Sequence, residues 1–236
     1  MPLINRVSEH TAFPPTDTAL DYPNGLLAVG GDLSSERLLA AYRLGIFPWY
    51  EEPQPVMWWT PDPRSVLFPD ELHVSRSLRR TLRRDQFSLA VDTCFADVVS
   101  CCAADRAEGP GTWIGDAMQT AYLGLHKERV AHSIEVFREG TLVGGLYGVA
   151  IGGAFFGESM FSHCSDASKI ALVALVHILR RGSFELIDCQ VESEHLNSLG
   201  AHCLSRLDFE SLLAQTIEKE PDSDAWQFEF SSGALV

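Results

Sequence analysis

The amino-acid sequence predicts an α+β fold, with a small N-terminal α/β domain over residues 1–63 followed by a larger mixed domain over residues 64–236. Three observations carry the prediction. The stretch up to Pro63 is rich in Pro, Gly and aromatic residues and holds one short helical pattern. Beyond it, hydrophobicity changes near Ser133 from a helical to an alternating period, which continues between glycine-bearing turns to Glu158. A strongly apolar helical segment and one more strand pattern follow.

Each element has a local cause. Asp32-Leu33-Ser34-Ser35-Glu36 supplies an N-cap, Leu38, Leu39 and Tyr42 give an apolar stripe, and Gly45 is placed to end that helix. Ile46-Phe47-Pro48-Trp49-Tyr50 and Met57-Trp58-Trp59-Thr60-Pro61-Asp62-Pro63-Arg64 read as an aromatic, turn-rich loop into the next domain. Ser75 caps a helix with Leu78 and Leu82 inward and Arg76, Arg79, Arg80, Arg83 and Arg84 outward. A helix from Thr112 to Lys127 turns Met118, Tyr122 and Leu125 to one side. Ser133–Phe137, Leu142–Ala150 and Ala154–Glu158 make an antiparallel meander, with turns at Arg138-Glu139-Gly140 and Ile151-Gly152-Gly153. After Ser165, apolar residues such as Ile170, Leu172, Val173, Leu175, Val176 and Leu179 surround most of a helix, which implies burial against a sheet; Gly182 stops it, and Phe184–Cys189 is a strand. Meander, helix, strand is the order of a GNAT-like acyltransferase core.

With 46% hydrophobic and 21% charged residues in 236, the composition is globular and excludes global disorder. Cys94, Cys101, Cys102, Cys164, Cys189 and Cys203 show neither CxxC spacing nor a Cys/His template, so they read as reduced thiols and no metal is expected. The N-terminus has no signal-peptide core and no stretch reaches about 18 apolar residues. A soluble cytoplasmic protein with no membrane partner is therefore expected. The net charge of −14 argues against a nucleic-acid partner until its distribution is considered. Arg64 to Arg84 carries six arginines against Asp70 and Glu71, whereas Asp208 to Glu229 is acidic. The expected surface has one basic patch.

The glycine-rich Pro23–Asp32 stretch lacks the Gly-Lys-Ser/Thr of a P-loop and the GxGxxG of a dinucleotide fold, and reads as a structural turn. Met160-Phe161-Ser162-His163-Cys164-Ser165-Asp166 precedes the apolar helix without a glycine loop, and Asp166 would repel an anion there, so acetyl-CoA is disfavoured and no cofactor is expected. Ser159 stands in Gly-Glu-Ser-Met-Phe rather than in G-x-S-x-G, so the hydrolase elbow is absent. Glu158, Asp188 and Gln190 lie where their neighbours read as buried strand ends, and a buried carboxylate needs a partner or a task. Strand alternation puts Asp188 and Gln190 on one face and Cys189 on the other, in packing. Trp49, Trp58, Trp59 and Trp113 fit either a core or a stacking surface for a purine, and the five-arginine run fits either a solvated face or phosphate contact.

Nine motifs, in order, carry a resemblance. They are Asn24-Gly25-Leu26-Leu27-Ala28-Val29-Gly30-Gly31-Asp32-Leu33, Gly45-Ile46-Phe47-Pro48-Trp49-Tyr50, Trp58-Trp59-Thr60-Pro61-Asp62-Pro63-Arg64, His73-Val74-Ser75-Arg76-Ser77, Gly111-Thr112-Trp113-Ile114, Ala131-His132-Ser133-Ile134-Glu135-Val136, Val143-Gly144-Gly145-Leu146-Tyr147-Gly148-Val149, Gly157-Glu158-Ser159-Met160-Phe161-Ser162 and Leu186-Ile187-Asp188-Cys189-Gln190. From about residue 10 to residue 210 the chain resembles the bacterial leucyl/phenylalanyl-tRNA protein transferase family.

The resemblance implies transfer of Leu or Phe, and less well Met, from aminoacyl-tRNA to an N-terminal Arg or Lys of a protein, which marks that protein for the N-degron pathway. It implies that Trp49 and Trp113 border the terminal adenosine, that Leu146, Phe155 and Met160 line the aminoacyl pocket, and that Glu158, Asp188 and Gln190 are the polar reaction-centre residues. Phosphate contact by Arg76, Arg79, Arg80, Arg83 and Arg84 would hold the tRNA. Aminolysis of an activated ester needs no metal, cofactor or covalent enzyme intermediate, only a positioned neutral amine and help for the oxyanion. Asp188 has two possible roles, general base or positioning group. The alternatives are a GNAT-type N-acyltransferase with another donor and a tRNA-binding module without chemistry.

Overall fold

Two sheets meet at the aromatic segment that ends near Pro63. The computed structural model describes residues 4–8, 11–107, 113–227 and 230–236. The first sheet holds β1 (Asn5–Val7), β2 (Leu26–Gly30), β3 (Phe47–Pro48) and β4 (Met57–Trp59) in the order β1-β2-β4-β3, with α1 (Ser35–Arg43) between β2 and β3. The Ser34 hydroxyl accepts the Arg37 N–H and so caps α1, and Gly45 follows the helix at φ +71, where a side chain would be strained. The aromatic segment expected as a loop contains two strands. Trp58 fixes them: it is fully buried and donates its indole N–H to the Gly30 carbonyl at 2.8 Å, a contact that only the folded chain creates. In the glycine-rich turn, Gly25 (φ +84) presses against Pro61, leaving no room for a Cβ.

The second sheet has eight strands in the order β11-β5-β10-β9-β8-β7-β6-β12. Along the chain, β5 (Arg64–Leu67), α2 (Arg76–Arg83), β6 (Ser88–Val91), α3 (Phe95–Ala107) and α4 (Asp116–Lys127) precede the meander β7 (Ala131–Arg138), β8 (Thr141–Ile151) and β9 (Ala154–Ser162). Then come α5 (Ala167–Arg181), β10 (Leu186–Gln190), α6 (Glu194–Asn197), β11 (His202–Leu204), α7 (Arg206–Thr216) and β12 (Phe230–Ser231). The expected start of α4 at Thr112 lies outside the described residues. β9 runs past the expected end at Glu158, because Ser159 to Ser162 pair with β8. β10 pairs in parallel with β9 and antiparallel with β5, with α5 as the crossover. The architecture is α+β, a small N-terminal region joined to a larger mixed domain.

Alternation along the large sheet gives it two apolar faces. Tyr147, Phe156 and Leu186 pack with α1, α3 and the N-terminal sheet, while Leu146, Phe155 and Ile187 pack with α5. Two helices absent from the sequence reading, α3 and α7, contribute Val98, Val99, Phe209 and Leu213 to the first of these faces.

Candidate active site

The ladder between β9 and β10 ends at the Phe156–Asp188 pair, and a cleft of about 390 Å³ opens beyond it. Trp49, Trp113, Leu146, Phe155 and Met160 all line this cleft, together with Glu158 and Gln190. Its apolar wall comes from the α5 face of the sheet, with Leu172 and Leu175 of α5 added, while Trp49 (46% exposed) reaches it from the N-terminal region. Trp49 is held by its neighbour: the Trp59 indole donates to the Trp49 carbonyl at 2.6 Å, and the two rings meet edge to face. Trp58 is enclosed in the core instead.

Glu158 lies at the polar end. Its carboxylate accepts from the Tyr42 hydroxyl at 2.7 Å, the Tyr122 hydroxyl at 2.5 Å and Gln190 Nε2 at 3.1 Å. Burial pushes its pKa up to about 7, because the charged form loses solvent, and the three hydrogen bonds only partly offset that cost. Asp188 adds in the same direction by charge repulsion. Tyr42 and Tyr122 were legible only as members of apolar helical stripes. The signal that could have found them is the demand of any buried phenol for a hydrogen-bond partner.

Gln190 is placed otherwise than strand alternation suggests. Gln190 adopts φ +63 and the register with β5 shifts between Asp188 and Gln190, so β10 carries a bulge at Cys189. The bulge brings both Cys189 and Gln190 to the cleft. Asp188 stays behind them, fully buried, in a two-point ion pair with Arg64 Nε and Nη2 at 2.8 and 2.7 Å. Its Oδ1 also accepts the Gln190 backbone N–H at 2.9 Å and so holds the bulge closed. The expected shared face of Asp188 and Gln190 is lost, whereas Cys189 packs against the α5-side core, opposite Asp188 as expected, and also forms part of the cleft wall. Burial and the adjacent Asp188 push its thiol pKa up, which disfavours a thiolate nucleophile.

Arg64 is the other residue that sequence reasoning misplaced, since it was counted with the basic surface. It is 1% exposed, its charge is met by Asp188, and its guanidinium lies 4.8 and 4.6 Å from the ring centres of Phe47 and Phe209. The other five arginines of that run, Arg76, Arg79, Arg80, Arg83 and Arg84, are exposed, on and just after α2. They stand apart from the cleft lining.

Among the described residues no group of His, Cys, Asp and Glu could hold a metal ion, and no helix is long and apolar enough to cross a membrane. Residues 66–214 match the model of the leucyl/phenylalanyl-tRNA protein transferase family, and residues 31–62 match that of its N-terminal domain. Curated relatives carry the name leucyl/phenylalanyl-tRNA–protein transferase. That of Pseudomonas putida is 55% identical, over 91% of this chain and 94% of its own. That of Stutzerimonas stutzeri is 56% identical, over 92% and 95%, and that of Nitrosomonas eutropha is 50% identical, over 97% and 98%. A match of this depth along nearly the whole chain means that the protein is an enzyme and belongs to the leucyl/phenylalanyl-tRNA protein transferase family.

Proposed function

We propose that the cleft between β9 and β10 receives the aminoacyl-adenosine end of Leu-tRNA or Phe-tRNA, and Met-tRNA less well, and passes the amino acid to the N-terminal Arg or Lys of a cytoplasmic protein. The product would be a substrate of the N-degron pathway. The observation that supports this is the division of one cavity into an apolar wall, two indoles at its mouth and a polar end made by Glu158 and Gln190. A side chain such as Leu or Phe suits the wall of Leu146, Phe155, Met160, Leu172 and Leu175, and the indoles offer stacking surfaces for the adenine.

The acceptor amine attacks the ester carbonyl, and the ribose hydroxyl leaves. Glu158, ionising near 7, is charged over the range in which an α-amino group of ordinary pKa, about 8, becomes neutral and nucleophilic. Its carboxylate would draw a cationic N-terminal residue toward the carbonyl. Gln190 is aimed by its hydrogen bond to Glu158 and by the bulge that Asp188 holds. Asp188 acts as a positioning group, since Arg64 and the Gln190 N–H occupy both of its oxygens.

Purified protein with Phe-tRNA and labelled peptides tests the reading: Arg- and Lys-initiated peptides should gain Phe, and Asp- or Glu-initiated ones should be rejected by like charge. Donor binding without transfer would leave a tRNA-binding module, and no use of aminoacyl-tRNA would leave an acyltransferase with another donor.

Met160 tests the pocket separately. Met160→Ala should cost about 1–3 kcal/mol of transition-state free energy with both Leu-tRNA and Phe-tRNA, the range for lost apolar contacts in a pocket. Undiminished kcat/KM with both donors would remove Met160 from it.

A further inference from the structure

A second cavity of about 410 Å³ lies between α2 and α5, and nothing in the transfer reaction described above uses it. Arg79 and Arg83 of α2 face Arg180 and His177 of α5 across it, over an apolar floor that includes Val173 and Val176. Arg79 and Arg83 also border the hollow shared with Arg76 and Arg80, so the two depressions form one cationic surface. Burial, Arg181 and Arg180 push the His177 pKa down, so the positive charge of the groove rests on its guanidinium groups.

α5 connects this groove to the donor cleft. Leu172 and Leu175 line the cleft, whereas Val173, Val176, His177 and Arg180 form an i, i+3, i+4, i+7 stripe on the groove side. From Leu175 to Arg180 the helix rises only about 7.5 Å, at 1.5 Å per residue. Cleft and groove thus flank one short stretch of the same helix, on two sides of it. Guanidinium groups arranged around a hollow suit phosphate oxygens, which they bind by two parallel hydrogen bonds.

We infer that the α2–α5 groove holds backbone phosphates of the tRNA, and that Arg180 extends the interface beyond the α2 arginines. The inference rests on the proposed function for the identity of its ligand. In the free protein Arg180 pairs with Asp70 at 3.2 Å, and Asp70 is 94% exposed. An exposed pair of this kind is weak, and a phosphate can displace it.

The test is a titration of full-length Phe-tRNA at several salt concentrations. Arg180→Gln should flatten the log-log salt dependence by roughly 0.7–0.9 units, and the double variant Arg79→Gln/Arg83→Gln by about twice that. Asp70→Asn, which frees Arg180, should tighten binding by about two- to five-fold. Arg129→Gln, an equal charge change between α4 and β7, should move the slope far less. Transfer from aminoacylated adenosine, too short to reach the groove, should be unchanged in Arg180→Gln. An unaltered slope in Arg180→Gln, or one altered no more than in Arg129→Gln, overturns the inference, as does an equal loss of transfer from the short donor. Failure of the functional reading looks different: the wild type would then transfer from neither donor, whatever the titration gives.

Discussion

Asp188→Asn is expected to lower the unfolding free energy by about 3–5 kcal/mol, because it leaves the Arg64 guanidinium buried without its counter-charge. Arg64 Nη1 already lacks a hydrogen-bond partner among the described residues, so no spare contact takes up the loss. Transfer should fall as well, since the Gln190 bulge loses its charged anchor. Stability and catalysis can be separated with Arg64→Met/Asp188→Leu, in which an apolar pair replaces the ionic one. Such replacements are often neutral or stabilising. Chemical denaturation should therefore show the double variant near wild-type stability while its transfer to Arg-initiated peptides stays low. If the double variant regains full transfer, Asp188 has no part in positioning Gln190. If Asp188→Asn unfolds at the wild-type denaturant concentration, the pair contributes little to the fold.

Glu158 gives the second large effect. Its pKa rises from the usual 4.5 to about 7 on folding. For an acid shifted upward, the folded state binds more protons than the unfolded state between these values, so stability falls as pH rises from about 4.5 to about 7. The shift corresponds to a loss on the order of 3 kcal/mol, complete above the folded-state value. Glu158→Gln removes this titration, so its stability should fall less than that of the wild type between pH 5 and 8 and should exceed it, relative to pH 5, at the alkaline end. The same variant should lose selectivity for Arg- over Asp-initiated acceptors, because the charge that discriminates them is gone. Denaturation curves at several pH values and paired peptide assays read both. A variant with the wild-type pH dependence of stability would show that Glu158 is not the titrating group.

The sequence alone determined the elements whose signals are local: α1 with its serine cap, α2 with leucines inward and arginines outward, the meander, and α5 with Gly182 at its end. It also determined the residue types at the site, since carboxylates and an amide at apolar strand ends demand an explanation. Only the tertiary structure decided their partners. The Asp188–Arg64 pair joins residues 124 apart in sequence, and the Tyr42–Glu158 bond joins residues 116 apart. No periodic pattern encodes such distances. Alternation failed at Gln190 because its φ of +63 changes the register, and this depends on the hydrogen bond from its backbone N–H to a carboxylate already fixed by Arg64 of β5. β3, β4, β5 and β11 are two to four residues long, too short to show a period, and they are strands because the sheets beside them supply the missing hydrogen bonds. Local order thus follows from the neighbouring residues along the chain, whereas the ionisation and aim of the site follow from burial and pairing that exist only once the chain has folded.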